Sequence, residues 1–110
     1  MVQYDFLLDA IFHSLADATR RDILARVYQA ELTISSLADD YDMSFSAVAK
    51  HLNVLEKAKL ILKQKRGKEK VIMANPESIQ VAMQHLEAYK LYMTERFDAL
   101  DELLRKEDGT

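Results

Sequence analysis

The sequence predicts one mainly α domain that contains five helices and a two-stranded β-hairpin. Among 110 residues only two are glycine and one is proline, so few positions interrupt a helix. Apolar residues recur at helical spacing along most of the chain, whereas the stretch around Gly67 alternates with the period of two that is typical of strands. A chain of this length fits one domain, and we expect that domain to span residues 1–110.

The first two helices are predicted from apolar spacing and from a cap. The first runs from about Tyr4 to Leu15, with apolar side chains every three or four residues. Asp17 is a suitable N-cap for the second, because its carboxylate accepts a hydrogen bond from a free N–H group of the first turn. The second helix covers ATRRDILARVYQA, and its predicted inner stripe is Ile23, Leu24, Val27 and Tyr28.

Two short helices follow, separated by Asp42 and Met43. Thr33 is the predicted cap of the third helix and Ser44 that of the fourth. The predicted inner positions are Ile34, Leu37, Ala38 and Tyr41 in the third helix and Phe45, Val48, Leu52 and Leu55 in the fourth. The opposite face of the fourth helix is polar and includes Lys50.

A basic hairpin and a long helix complete the chain. In LILKQKRGKEKVIMAN, Gly67 supplies the positive φ that a tight hairpin turn requires. Asn75 and Pro76 begin the last helix, whose apolar residues from Ile79 to Leu104 recur in steps of three and four, as in a helix that packs along another helix. Two short helices followed by a basic hairpin predict a winged helix-turn-helix fold.

Charge divides the chain into three segments. The formal net charge is -3, but residues 44–73 contain eight basic and two acidic residues, a net of +6. The flanking segments, residues 1–43 and 74–110, have net charges of -5 and -4. A basic surface on an acidic body attracts nucleic acid and orients it. A solvated lysine face is the alternative that the pattern leaves open.

The polar face of the fourth helix and the hairpin form the candidate DNA-binding surface. The second helix of a helix-turn-helix enters the major groove, where small or polar residues leave room for base edges. Lys50 suits guanine or a phosphate, Asn53 suits adenine or the backbone, and the hairpin suits phosphates or the minor groove. The candidate residues are Ser44, Ser46, Ala47, Lys50, His51, Asn53, Lys65, Arg66, Lys68 and Lys70.

Several of these residues also have a possible structural role. Ser44 and Ser46 lie where a helix N-terminus offers free N–H groups to a phosphate, but Ser44 is also the cap. His51 lies on the flank of the helix, where a phosphate contact and a structural role are equally compatible with the sequence. The basic hairpin residues are also consistent with a solvated turn.

Four stretches resemble the arsenic-repressor (ArsR/SmtB) family of winged-helix transcription regulators. They are LADATRRDIL at 15–24, LTISSLAD at 32–39, MSFSAVAKHLNVLEKAKLI at 43–61 and KRGKEKVIMAN at 65–75. The resemblance implies a homodimeric bacterial repressor whose first and last helices form the dimer interface and whose fourth helices enter successive major grooves. Two residues depart from the family pattern, Ala18 where proline is frequent and Lys59 where glycine is usual.

The metal-binding residues of the metal-responsive members of that family do not occur in this chain. The family's Cys-x-Cys pair on the third helix corresponds to Thr33 and Ser35, and hydroxyl groups do not replace thiolates as ligands of soft metals. The chain contains no cysteine, and its last helix has His85 and Glu87 rather than a spaced His-x-x-Glu pair. We therefore expect no metal or other cofactor, and we leave open whether the inducing signal is a ligand or a partner protein.

The sequence also predicts a homodimer on a near-palindromic operator. The apolar rows of the first and last helices exceed what one small domain covers, and the predicted interface residues are Leu8, Ile11, Tyr89, Met93, Phe97 and Leu100. No stretch approaches the roughly 20 apolar residues that cross a bilayer, so we expect a cytoplasmic protein with no membrane partner. No nucleophile–base motif or glycine-rich phosphate loop occurs, so we expect no enzymatic activity. A winged helix that binds proteins, or an antirepressor that does not bind DNA, is the alternative function.

Overall fold

The computed structural model describes residues 6–108, which contain five helices in the predicted order. The elements are α1 (Phe6–Leu15), α2 (Ala18–Gln29), β1 (Leu32–Thr33), α3 (Ile34–Tyr41), α4 (Phe45–Lys57), β2 (Ile61–Arg66), β3 (Glu69–Ala74) and α5 (Pro76–Asp108). The predicted start of the first helix at Tyr4 lies outside the described residues. The winged helix-turn-helix prediction is confirmed, because α3 and α4 form the helix pair and β2 and β3 form the wing.

A short strand that the sequence did not predict extends the wing into a three-stranded antiparallel sheet. β1 pairs with β3, with Leu32 opposite Ile72 and Thr33 opposite Val71, so the strand order is β1-β3-β2. Two residues are too few to show an alternating pattern, and their pairing depends on a strand about forty positions later in the chain. The base of the wing is therefore held by a third strand.

The three predicted N-caps are confirmed. Each accepts a hydrogen bond from the backbone N–H three residues later: Asp17 from Arg20 at 3.0 Å, Thr33 from Ser36 at 3.1 Å and Ser44 from Ala47 at 3.1 Å. The bond from the Arg20 N–H is also the main reason that the pKa of Asp17 is lowered from its ordinary value, since it stabilises the ionised carboxylate. Three short helices thus begin where their caps predict.

The core lies between the first four helices and the inner face of the sheet. Its largest fully buried apolar side chains are Ile11, Ile23, Leu37, Val48, Leu52, Leu55, Leu60, Ile61 and Ile72. Two predicted inner residues need correction, because Tyr28 is 40% exposed and Phe45 is 56% exposed. Tyr28 lies in the last turn of α2 and Phe45 is the first residue of α4. Both positions lie near a helix end, beyond the part of the helix that the core covers.

Polar side chains connect the end of α1 to its neighbours. The hydroxyl of Ser14, which is fully buried, lies 2.8 Å from the Ala10 carbonyl oxygen and 3.2 Å from that of Val54 in α4. Arg20 Nε donates to the Ser14 carbonyl at 2.8 Å, and Arg21 donates to the carbonyl of residue 15 at 2.8 Å. These bonds satisfy carbonyl groups that a helix C-terminus leaves without intrahelical partners.

Three described residues with positive φ mark the ends of elements: Asp42, which caps α3 with a φ of 51°, Lys59 and Gly67. Gly67, in the turn between β2 and β3, has a φ of 63°, and a Cβ added there would meet nothing within 4 Å. The conformation, rather than lack of space, therefore favours glycine, as predicted. Lys59, between α4 and β2, has a φ of 57°, so a lysine occupies a left-handed position, at the site where the resembled family usually has glycine.

The last helix extends far beyond the core. With 33 residues, α5 is roughly 50 Å long, and the longest axis of the molecule is 73 Å. Ala82 is buried and Ile79 is half-buried against the core, whereas from Met83 to Glu107 every side chain except the half-buried Ala88 is exposed. Within residues 6–108, no helix combines the length and apolar character that are needed to cross a membrane.

Replacing Lys59 by glycine is expected to stabilise the fold by about 1 kcal/mol. A left-handed φ costs an L-residue roughly 1–2 kcal/mol, and glycine removes this strain at a smaller cost in chain entropy. The matched control is Lys57→Gly, which makes the same substitution in the last turn of α4 and is expected to destabilise the protein by about 0.5–1 kcal/mol. Denaturant unfolding at one protein concentration measures both changes. Effects of the same sign would contradict the strain at Lys59.

Candidate nucleic-acid interface

The α4 helix has one buried face and one exposed face, as the sequence predicted. Val48, Leu52 and Leu55 are fully buried, whereas Ser46 and Lys50 are exposed. The Lys50 ammonium group has no hydrogen bond or ion pair to any residue between 6 and 108. The Lys50 ammonium group, which the described residues leave unpaired, is therefore exposed on the outer face of the second helix of the helix-turn-helix.

The N-terminal turn of α4 is small and polar, with one exception. Ser44 accepts the Ala47 N–H as the cap, and Ala47 itself is half-buried. Ser46 is exposed, and its hydroxyl has no hydrogen-bond partner among the described residues. The exception is Phe45, whose exposed ring lies between the two serines in sequence. The predicted groove-facing end thus also presents an aromatic side chain.

Asn53 and His51 have partners inside the protein. Lys63 of β2 donates to Asn53 Oδ1 at 2.6 Å and lies 3.5 Å from Glu56 Oε1. Since a bidentate adenine contact uses both the carbonyl and the amino group of an asparagine, the Lys63 ammonium group competes with adenine for the carbonyl oxygen of Asn53. His51 is half-buried, with Nδ1 3.9 Å from Asp17 Oδ2 at the start of α2.

The wing carries two kinds of basic side chain. Arg66 forms a bidentate pair with Glu31, with Nη1 2.7 Å from Oε2 and Nη2 3.3 Å from Oε1. The Arg66 hydrogen bond holds the pKa of Glu31 below its ordinary value, so the carboxylate is ionised at neutral pH. Lys65, Lys68 and Lys70 are exposed and form no ion pair within the described part of the chain. The wing therefore presents three free lysines and one arginine whose charge is already compensated.

The residues relevant to metal binding lie apart. Across residues 6–108 there is no group of three histidine or acidic side chains that could hold a metal ion. Thr33 is occupied as the cap of α3, and Ser35 is exposed one position into that helix. His85 Nε2 lies 2.9 Å from the Tyr89 hydroxyl, and its ring meets Phe12 edge to face at 6.5 Å.

The predicted dimer interface is exposed in part. Ile11 needs correction, because it is fully buried in the core of the same chain and offers no surface to a partner. Leu8 is half-buried. The remaining predicted residues are large apolar side chains that are at least half exposed: Tyr89, Met93, Phe97 and Leu100. Leu86 and Leu104 continue the same row on α5 and were not assigned to the interface.

Two relevant residues were missed by sequence reasoning. Phe45 was assigned to the core because its spacing from Val48 and Leu52 is helical, although its position directly after the Ser44 cap marks it as the end of the stripe. Glu31 lies between α2 and β1, and its role depends on Arg66, 35 positions later in the chain. No local pattern predicts such a pair.

The chain is similar to known transcription regulators. A family profile described as a helix-turn-helix domain matches residues 15–64. YuzN of Bacillus subtilis, named an uncharacterized HTH-type transcriptional regulator, is 42% identical over 79 residues, which cover 66% of this chain and 86% of YuzN. SdpR of the same organism, named a transcriptional repressor, is 28% identical over 60 residues, which cover 54% of this chain and 67% of SdpR.

A solved structure extends the similarity to the three-dimensional fold. The crystal structure of an ArsR family transcriptional regulator is 33% identical in sequence and superposes with a TM-score of 0.73. The match covers 86% of this chain and 97% of that chain.

Substitutions in the wing are expected to separate free from compensated charges. Binding to a random DNA duplex is described by the slope of log K against log salt concentration. Lys68→Ala should lower the magnitude of this slope by about 1 for each phosphate that the lysine no longer neutralises, because each such phosphate otherwise releases about one counterion. Arg66→Ala should lower it by clearly less, because Glu31 already neutralises the guanidinium group. Fluorescence anisotropy across a salt series measures both slopes. Equal decreases would mean that the Arg66–Glu31 pair opens on DNA.

Proposed function

We propose that this chain, which belongs to the ArsR family of helix-turn-helix transcriptional regulators, is a homodimeric repressor that binds a specific double-stranded DNA sequence. Each protomer inserts α4 into a major groove, and the two half-sites of a near-palindromic operator lie about one helical turn, ~34 Å, apart. The wing lysines contact phosphates beside the groove. A repressor of this kind acts on chromosomal DNA in the bacterial cytoplasm.

The free cation on the outer face of α4 is the observation that carries this proposal. Lys50 is exposed and has no hydrogen bond or ion pair within residues 6–108, while the opposite face of the same helix is fully buried. Lysine is a donor for the O6 and N7 acceptors of guanine as well as for phosphates. The surrounding segment, residues 44–73, has a net charge of +6 in an acidic chain. The basic charge is therefore concentrated in α4 and the wing, the elements that meet DNA in this fold.

The exposed row on α5 supports a homodimer. α5 is roughly 50 Å long and has ten large exposed apolar side chains among the described residues. Beyond its first turns, the helix is not stabilised by its own chain. Seven of these side chains follow the three- and four-residue steps of a helix that packs along another helix: Met83, Leu86, Tyr89, Met93, Phe97, Leu100 and Leu104. A second copy of α5 supplies such a helix. The SdpR name supports repression, as distinct from activation, as the outcome of binding.

We propose further that DNA binding does not depend on a metal ion. Thr33 and Ser35 provide hydroxyl groups where soft-metal sensing requires thiolates, and the histidines that the structure describes lie on three different helices. The hydroxyl of Thr33 is used as a helix cap. Control of the repressor by an organic ligand, by a partner protein or by its own abundance is compatible with these features.

The alternative function is a winged-helix module or antirepressor that binds a protein and does not touch DNA. Exposed Phe45 is the observation that favours it, since exposed aromatic residues are enriched in protein interfaces. The rest of the outer face of α4 is polar or small, and the adjacent wing carries free lysines. This composition favours DNA over an apolar protein surface.

The dimer interface is tested by introducing charges of one sign. Met93→Glu combined with Phe97→Glu should convert the dimer into a monomer, because like carboxylates would face each other in the apolar seam. Leu91→Lys is the matched control: Leu91 is equally exposed but lies about 200° around α5 from Met93, so its replacement should leave the dimer intact. Sedimentation equilibrium measures the mass. A double variant that remains dimeric would place the interface elsewhere.

Specific binding is tested with Lys50→Ala on two DNA duplexes. On an operator, the substitution should cost about 1–3 kcal/mol per half-site, whereas affinity for a random duplex should be nearly unchanged, because base contacts exist only on the operator. Lys90→Ala, which removes an exposed lysine from α5, is the control and should change neither affinity.

The same titrations distinguish the alternatives. Proportional decreases in affinity for operator and random duplex would mean that α4 contributes only sequence-independent electrostatic attraction. Absence of DNA binding by the unsubstituted protein would favour the protein-binding module. Titrations repeated with zinc and with a chelator should coincide. A stoichiometric zinc ion that changes the affinity at neutral pH would contradict the metal-independent proposal.

A further inference from the structure

Phe45 is exposed at the end of α4 that enters the groove in the proposed function. It is the first residue of the helix and directly follows the Ser44 cap, while Val48 and Leu52, one and two turns later, are fully buried. In helix-turn-helix complexes, the N-terminal residues of the second helix contact base edges. Neither the core nor the cap accounts for an aromatic side chain at this position.

The surroundings of Phe45 are basic. Its ring lines a cleft of about 180 Å³ together with residues 33–35 and with Lys68, Glu69 and Lys70 of the wing. Both lysines are without an ion pair among the residues that the structure describes. Two lysines and one glutamate leave a net positive charge beside the ring, which matches a nucleic-acid strand better than an apolar protein surface.

The chemistry of a phenylalanine side chain limits what it can recognise on DNA. The ring has no hydrogen-bond donor or acceptor, so it does not read the polar groups of a base edge. The apolar group that base pairs present in the major groove is the C5-methyl group of thymine. We infer that Phe45 contacts a thymine C5-methyl group and selects thymine at one position in each half-site, while Lys68 and Lys70 hold the adjacent strand. This inference rests on the proposed function.

Thymine-to-uracil replacement tests the contact because deoxyuridine lacks only the methyl group. The operator is first enriched from a random duplex library by the unsubstituted dimer. Each symmetric pair of thymines is then replaced by deoxyuridine. At one pair, the replacement should lower the affinity about fourfold per half-site, the size expected for the burial of one methyl group. Phe45→Ala should bind the thymine and uracil duplexes equally well.

Two controls separate this contact from a general disruption of structure. Phe45→Leu keeps an apolar side chain and should keep part of the thymine preference. Thermal unfolding confirms that the variants are folded. The coupling between methyl group and side chain, rather than the effect of either change alone, is the result that supports the inference.

Other outcomes overturn the inference. It is wrong if uracil has no effect at any position, if the enriched operator contains no thymine, or if the thymine preference persists in Phe45→Ala. In each of these cases a specific operator has been found, so the proposed function stands. If no duplex is enriched over random DNA, the proposed function and the inference both fail, because a base contact requires base-specific binding. If Phe45 instead binds a protein partner, either no duplex is enriched over random DNA, or the uracil replacement and Phe45→Ala show no coupling.

Discussion

The rotation of α4 about its own axis is fixed by three side chains that are fully buried in the core: Val48, Leu52 and Leu55. A rotation by one residue, about 100°, would expose part of this stripe, and each fully buried side chain of this type is worth roughly 1.5–3 kcal/mol. The buried Ser14 hydroxyl, which reaches the Val54 carbonyl, adds a directional contact to the same orientation. With the inner face fixed in this way, Lys50 points outward in one direction only.

Arginine and lysine have different roles in the first 75 residues. Arg20 and Arg21 satisfy carbonyl groups at the end of α1, Arg26 pairs with an aspartate of α3, and Arg66 pairs with Glu31. The planar guanidinium group suits such fixed, multiple hydrogen bonds, whereas the lysine ammonium is a hydrated point charge on a flexible stem. The free basic charge of the interface is therefore carried by lysines, and in the proposed function those of the wing contact phosphates. Sequence preference must then depend on α4, through Lys50 and a few side chains at the start of the helix.

The sequence predicted the features that depend on neighbouring residues. The three N-caps and the positive φ at Gly67 follow from short patterns, because each is set within one turn of chain. Features that depend on distant residues were missed or misassigned. Ile11 was placed in a dimer interface and Phe45 in the core, because an apolar pattern indicates burial but does not show which segment or partner buries the side chain. The pairing of β1 and the partner of Arg66 likewise depend on segments that meet only in the folded chain.

The wing of this protein is held at two places, along β3 and at the tip of β2, and this affects the entropy of binding. β1 pairs with β3 along one edge, and Arg66, the last residue of β2, is attached through both of its terminal nitrogens to the Glu31 carboxylate. A hairpin free to swing would have to be immobilised when it reached a phosphate backbone, at a cost that grows with every residue and side chain ordered. Here much of that ordering is completed during folding. Under the proposed function, we expect Arg66 to favour association indirectly, by holding the wing lysines in a geometry that is already close to the bound one.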